Sequence, residues 1–159
     1  MKGIYEKRET VRIAIDLSLD TNVYASGDVL ADTQAVANVT TQPGGVVELI
    51  SALIVDKDDQ KQGLELVFLE ANYNLGTENS GPDLTDDEAE AIEGVVSFAS
   101  ANYFDLGGVS VCSFGQPALG YFMKCASGST TLYMGAISRG TGTYSATGIQ
   151  VVLFFAEVT

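Results

Sequence analysis

A chain of 159 residues and 16.7 kDa is long enough to bury one core, and with 46% hydrophobic but only 18% charged residues it leaves much of its polar surface to Ser, Thr, Asn, Gln and Gly. Its net charge of −13 excludes sequence-independent nucleic-acid binding, which needs a basic face, and anionic membranes repel it. With no histidine, and with Cys112 and Cys125 outside any CxxC or zinc spacing, the residue inventory also excludes Ser-His-Asp and Cys-His catalysis and the usual zinc sites.

Seventeen glycines against three prolines predict many tight turns between strands, hence an all-β fold. Residues 1–9 read as an amino-terminal arm, in which Lys2, Lys7 and Arg8 lead toward Arg12. The arm has no apolar stretch of the kind that marks a secretory signal, and no run reaches the roughly 20 apolar residues of a membrane span. Synthesis in a cytoplasm is the expectation.

Thr10 to Leu17 alternates, with Val11, Ile13, Ile15 and Leu17 on one side, so it predicts a half-buried first strand. Gly27 marks a bulge or turn before a short strand ending near Leu30, and Ala35 to Thr41 predicts another, stopped by Pro43-Gly44-Gly45. Val46 to Ala71 reads as two long strands flanking the polar turn Lys57 to Gly63, folded back on each other as a hairpin. The apolar block Leu64 to Leu69 is too dense for a strand wet on one face, which places it in mid-sheet.

Asn72 to Asp83 is a loop. Thr85 and Glu88 have capping-box spacing, and Asp86, Asp87 and Glu88 complement the positive end of a helix dipole, so a helix is predicted from Thr85 to about Glu93, with Gly94 as its stop. Val95 to Ala99, Val109 to Phe114, Leu119 to Ala126 and Thr130 to Ser138 predict strands, the last two joined through Ser127-Gly128-Ser129 by a hairpin-type link. Arg139 to Gly148 is a Gly/Thr loop, and Ile149 to Val158 needs a buried place in a sheet. About nine strands and one short helix in a single domain, residues 10–159, predict an antiparallel β-sandwich of jelly-roll or other Greek-key type.

No stretch advertises chemistry. Asp56-Lys57-Asp58-Asp59-Gln60 has Lys61 where a calcium loop of EF type needs glycine, and reads as a solvated hairpin tip. The acidic run from Asp83 to Glu93 lies on one exposed helix, and Gly140-Thr141-Gly142-Thr143 lacks the lysine of a phosphate loop. No metal, cofactor or catalytic set is expected. Apolar neighbours of Cys112 and Cys125 favour two buried free thiols over a disulfide. Tyr133 reads as core, whereas Tyr73 and Tyr144, in loops, are candidates for partner contact.

The segment Tyr24-Ala25-Ser26-Gly27-Asp28-Val29-Leu30 resembles the "YxxGDV" segment of a set of small tailed-bacteriophage virion proteins. The "PGG" turn at Pro43-Gly44-Gly45, the aspartate-rich turn, the "LxLVFF"-like strand Leu64 to Leu69, Leu84 to Ala89, Asn102-Tyr103, Thr131-Leu132-Tyr133 and Gly142-Thr143-Tyr144 are similar as well. The resemblance spans most of residues 10 to 157. It implies a virion structural protein similar to capsid decoration, or cement, proteins: a compact sandwich, assembled as a homotrimer, that sits on the outside of the capsid and adheres to the major capsid protein across neighbouring subunits. The rival reading is a receptor- or glycan-binding module on a tail or fibre. The residues assigned to capsid contact are Lys2, Lys7, Arg8, Arg12, Tyr73 and Tyr144.

Overall fold

The computed structural model describes residues 9–114 and 121–158. Ten strands form among them: β1 (Thr10–Asp16), β2 (Val29–Val36), β3 (Val46–Asp56), β4 (Leu64–Leu69), β5 (Ile92–Phe98), β6 (Phe104–Asp105), β7 (Ser110–Ser113), β8 (Tyr121–Lys124), β9 (Leu132–Ser138) and β10 (Ile149–Val158), with one short helix, α1 (Asp86–Ala89). The six-stranded sheet runs β1-β10-β3-β7-β6, with β8 also paired to β3, and the four-stranded sheet runs β2-β9-β4-β5. Every ladder pair of named strands is antiparallel. β3, eleven residues long, takes β8 along Val46 to Leu49 and β7 along Leu53 to Asp56.

The pairings β1 with β10, β2 with β9, β3 with β7 and β8, and β4 with β5 are those of one long antiparallel hairpin whose apex is the β4–β5 connection. Rolled up so that β10 also pairs β3 and β9 also pairs β4, it becomes a jelly roll. The core lies between the two sheets. Phe68 of β4 and Phe155 of β10, both fully buried, meet edge to face at 6.5 Å and 90°, an aromatic geometry that ties the two sheets at their middle. As the apolar density of Leu64 to Leu69 requires, β4 lies between β9 and β5.

Several expectations are corrected. β3 and β4 are not a hairpin: they belong to opposite sheets, and residues 57–63 carry the chain across the roughly 10 Å between them. The link at residues 127–129 likewise crosses from β8 in one sheet to β9 in the other. The second short strand expected over Ala35–Thr41 does not form, because β2 already runs to Val36, after which Asn38 takes a left-handed φ of 60° and turns the chain. The helix ends at Ala89 with Glu90 as its C-cap, and Gly94, the expected stop, lies inside β5 opposite Phe68. Its start is as predicted: Thr85 Oγ1 accepts from the Glu88 amide at 3.3 Å, while the Glu88 carboxylate accepts from the Thr85 amide at 2.9 Å.

Candidate interaction surface

The two sheets differ in what lies on their outer faces. On the four-stranded sheet, outward Val29, Val67, Leu69 and Ile137 form a second apolar cluster, and the β4–β5 connection folds down on it. Leu75, 1% exposed, is its anchor; it sits so closely on Gly135 that a Cβ there would collide with Leu75 Cδ1. Backbone bonds hold the connection in place, with the Val29 amide donating to Ser80 O at 2.8 Å and the Asn79 amide to Val29 O at 2.9 Å. Asp32 Oδ1 accepts from the Leu75 amide at 3.0 Å. Residues 70–91 carry seven carboxylates and no Lys or Arg, so this cover is also the most acidic part of the molecule.

No described segment crosses the outer face of the six-stranded sheet. Strand register places its residues in rows: Asp16, Gln150, Val55, Val111 and Phe104; then Ala14, Val152, Leu53 and Ser113; then Arg12, Phe154 and Ser51; then Thr10, Ala156, Glu48 and Phe122. Phe104, Phe122 and Phe154 are 73%, 56% and 37% exposed. Three rings of this size expose roughly 300 Å² between them, spread from the first row of the face to the fourth. Antiparallel sheets with one wet face normally alternate apolar and polar; here the middle of the face is apolar, with Val152 and Ala156 of β10 packed out of water at 4% and 0% exposure and Phe154 left partly exposed.

The ends of the sandwich are closed by internal polar contacts. The β3–β4 crossing is not a solvated tip: Asp56 is buried, and its carboxylate accepts from the Lys61 amide at 2.8 Å and the Asp58 amide at 3.1 Å. Burial pushes the Asp56 carboxyl upward despite those bonds. Asp58 in turn caps the β9–β10 loop through Ser145, whose amide donates to it at 2.7 Å. Lys57 pairs with Asp16 at 2.8 Å, and Lys61 joins Asp105 at 2.9 Å. At the opposite end, the inward Glu157 carboxylate of β10 accepts from Thr40 Oγ1, from Thr41 Oγ1 at 2.8 Å and from the Gln42 amide at 3.3 Å. Those hydroxyl bonds hold its pKa below the usual glutamate value. Back at the end of the β3–β4 crossing, Arg139 lies beside a shallow recess where β4 begins and β5 ends, and is held by Glu65 at 2.7 Å.

The assigned contact residues do not converge on one site. Lys2, Lys7 and Arg8 lie outside the described residues. Arg12 is exposed on edge strand β1, next to Phe154. Tyr73 is 38% exposed, but on the acidic cover of the other sheet, where its carbonyl accepts from Thr33 Oγ1 at 2.6 Å. Tyr144 is no surface residue: it is 4% exposed, packs on Tyr24 at 6.1 Å, and burial pushes its phenol well above the usual range. The polar Gly/Thr loop brings it inward because it folds over the end of the sandwich, with Gly142 lying against the Tyr144 ring. Tyr24 shares that pocket; its hydroxyl donates to Leu30 O at 2.9 Å and its pKa is raised to about 12 by burial. Tyr133, expected in the core, is half-buried and packs against the second cluster under the cover. Cys112 and Cys125 are buried and unbonded, as their apolar neighbours indicated. The residues the sequence left unmarked are Phe104, Phe122 and Phe154. For Phe122 and Phe154 the signal was a run of consecutive apolar residues, which reads equally as burial on both faces; Phe104, between Tyr103 and Asp105, stands in a segment that reads as a link between strands.

Fold and surface together define a jelly-roll protein whose candidate site is a sheet face rather than a cleft. No family model matches the chain, and no curated protein matches it. Among solved structures, a chain from the structure of tomato aspermy virus is similar at 6% identity and a TM-score of 0.41, covering 99% of this chain and 80% of that one. That likeness is weak.

Proposed function

We propose that this chain is a phage capsid decoration protein, made in the host cytoplasm, that binds the outside of the major capsid shell and stabilises it by bridging neighbouring subunits. The observation that carries the reading is the lopsided charge: a jelly roll whose cover over one sheet holds seven of the 21 acidic residues and none of the eight basic ones, with Arg12 at the edge of the other sheet. The motifs from Tyr24 to Tyr144 that resemble tailed-phage virion proteins support the same reading. Its shell-facing parts are the arm residues Lys2, Lys7 and Arg8 together with Arg12, and the acidic cover faces solvent, where self-repulsion keeps crowded copies apart. The mechanism is adhesive and involves no catalysis. A self-associated decoration protein grips more than one capsid subunit, so repeated weak contacts multiply by avidity.

Quantitative gel densitometry of purified virions tests this. The expected result is a copy number approaching that of the major capsid protein, with particles lacking the chain bursting at lower temperature. A few copies per hundred capsid subunits would overturn it in favour of a tail- or fibre-borne binding module.

A further inference from the structure

We propose that the outer face of the six-stranded sheet is the docking surface for a second copy of this chain, the two sheets meeting face to face. This inference does not rest on the virion reading and is compatible with it: Arg12 is on edge strand β1, at the rim of the contact, so the β1 edge can face a shell while both acidic covers face solvent. Its first ground is the contrast within one molecule. Both sheets are apolar on the outside; the β4–β5 connection covers one, with Leu75 as anchor, and nothing described covers the other. Phe104, Phe122 and Phe154 are left in water there, next to Leu53 and Val111.

Charge identifies the occupant. A chain of net charge −13 resists meeting its own copies through most of its surface. The bare face is the exception: Arg12, Lys57 and Lys124 lie on it or at its edge, opposed by Asp16 and Glu48, so it is close to neutral. Two copies joined here hold their acidic covers on opposite outer surfaces, with four sheets between them. At about 10 Å per sheet spacing the covers are roughly 30 Å or more apart, beyond the Debye length of about 8 Å at physiological salt. A two-fold contact lets the apolar band meet itself. Its six strands run from two residues in β6 to eleven in β3, and at about 16 Å² of face per residue (about 3.3 Å rise by 4.8 Å spacing) they present roughly 600 Å² per copy, so the pair buries just over the roughly 1,000 Å² expected of a specific interface.

Sedimentation equilibrium of the full chain over a dilution series tests the proposal. The expected mass is twice the 16.7 kDa of one chain. The double variant Phe122→Asp, Phe154→Asp alters only outward side chains and is expected to pair at least roughly thirtyfold more weakly, as for loss of a two-residue hot spot. Tyr73→Asp, on the cover of the other sheet, is expected to pair like the wild type. A single-chain mass at every concentration, a three-chain mass, or unaltered pairing of the double variant would each overturn the face-to-face contact. Should the double variant fail to fold, hydroxyl-radical labelling of the wild type decides: protection of Phe122 and Phe154 that is lost on dilution supports the contact, and reactivity independent of concentration refutes it.

Discussion

Leu75→Ala asks whether the β4–β5 connection is a packed layer or a loop that merely lies nearby. Leu75 is 1% exposed among Val29, Val67, Leu69 and Ile137, so truncation removes three buried carbons, about 2.4 kcal/mol of transfer free energy at about 0.8 kcal/mol each. A residual cavity adds to that, because the Gly135 backbone beneath is fixed in β9 and cannot collapse fully into the space; a total of about 3 kcal/mol is expected. Gly135→Ala alone introduces a methyl that collides with Leu75 and lies 3.2 Å from Ala31 O, an overpacking worth about 1–3 kcal/mol. In the double variant the new methyl occupies room that Leu75 has vacated, so the two losses should combine to at least about 1 kcal/mol less than their sum. Urea unfolding at constant m-value supplies all four free energies, and the melting temperature of Leu75→Ala should fall by roughly 6–12 °C. A Leu75→Ala loss below about 1 kcal/mol, or additivity of the two substitutions within about 0.5 kcal/mol, would show that the cover is not seated on the sheet as described.

Two further outcomes are expected. Glu157→Gln should cost about 1–2 kcal/mol at neutral pH, because Thr40, Thr41 and Gln42 lose a charged acceptor. Since the folded pKa of Glu157 is depressed, its contribution is complete above the unfolded value near 4.5 and disappears as pH falls through the folded value; variant and wild type should therefore converge in acid, and a gap unchanged from pH 7 to pH 3 would contradict the clamp. Cys112 and Cys125, 1% and 0% exposed with thiol pKa values raised by burial, should resist a thiol reagent in the native protein and react only on unfolding, as kinetics of labelling with and without urea will show.

What the sequence alone determined is local. Alternation of Val11, Ile13 and Ile15 places β1, the dense run after Ile149 places β10 in mid-sheet, and the Thr85–Glu88 pair places the start of α1, because each signal arises within a few residues of the backbone that it shapes. Pairing is a different matter. The seven residues between Asp56 and Leu64 suit a hairpin or a crossing between sheets equally well, and the choice was made by strands distant in sequence: β10 occupies one edge of β3, and β9 and β5 flank β4. Tyr144 lies in a segment with loop composition and is nevertheless buried, since its neighbour Tyr24 is supplied from 120 positions away. Tertiary structure alone also decided which apolar residues stay wet. Leu69 and Phe154 both sit in runs that predict burial on two faces, but burial of an outward side chain needs a covering layer. The β4–β5 connection covers the outside of one sheet, and nothing described in this chain covers the other.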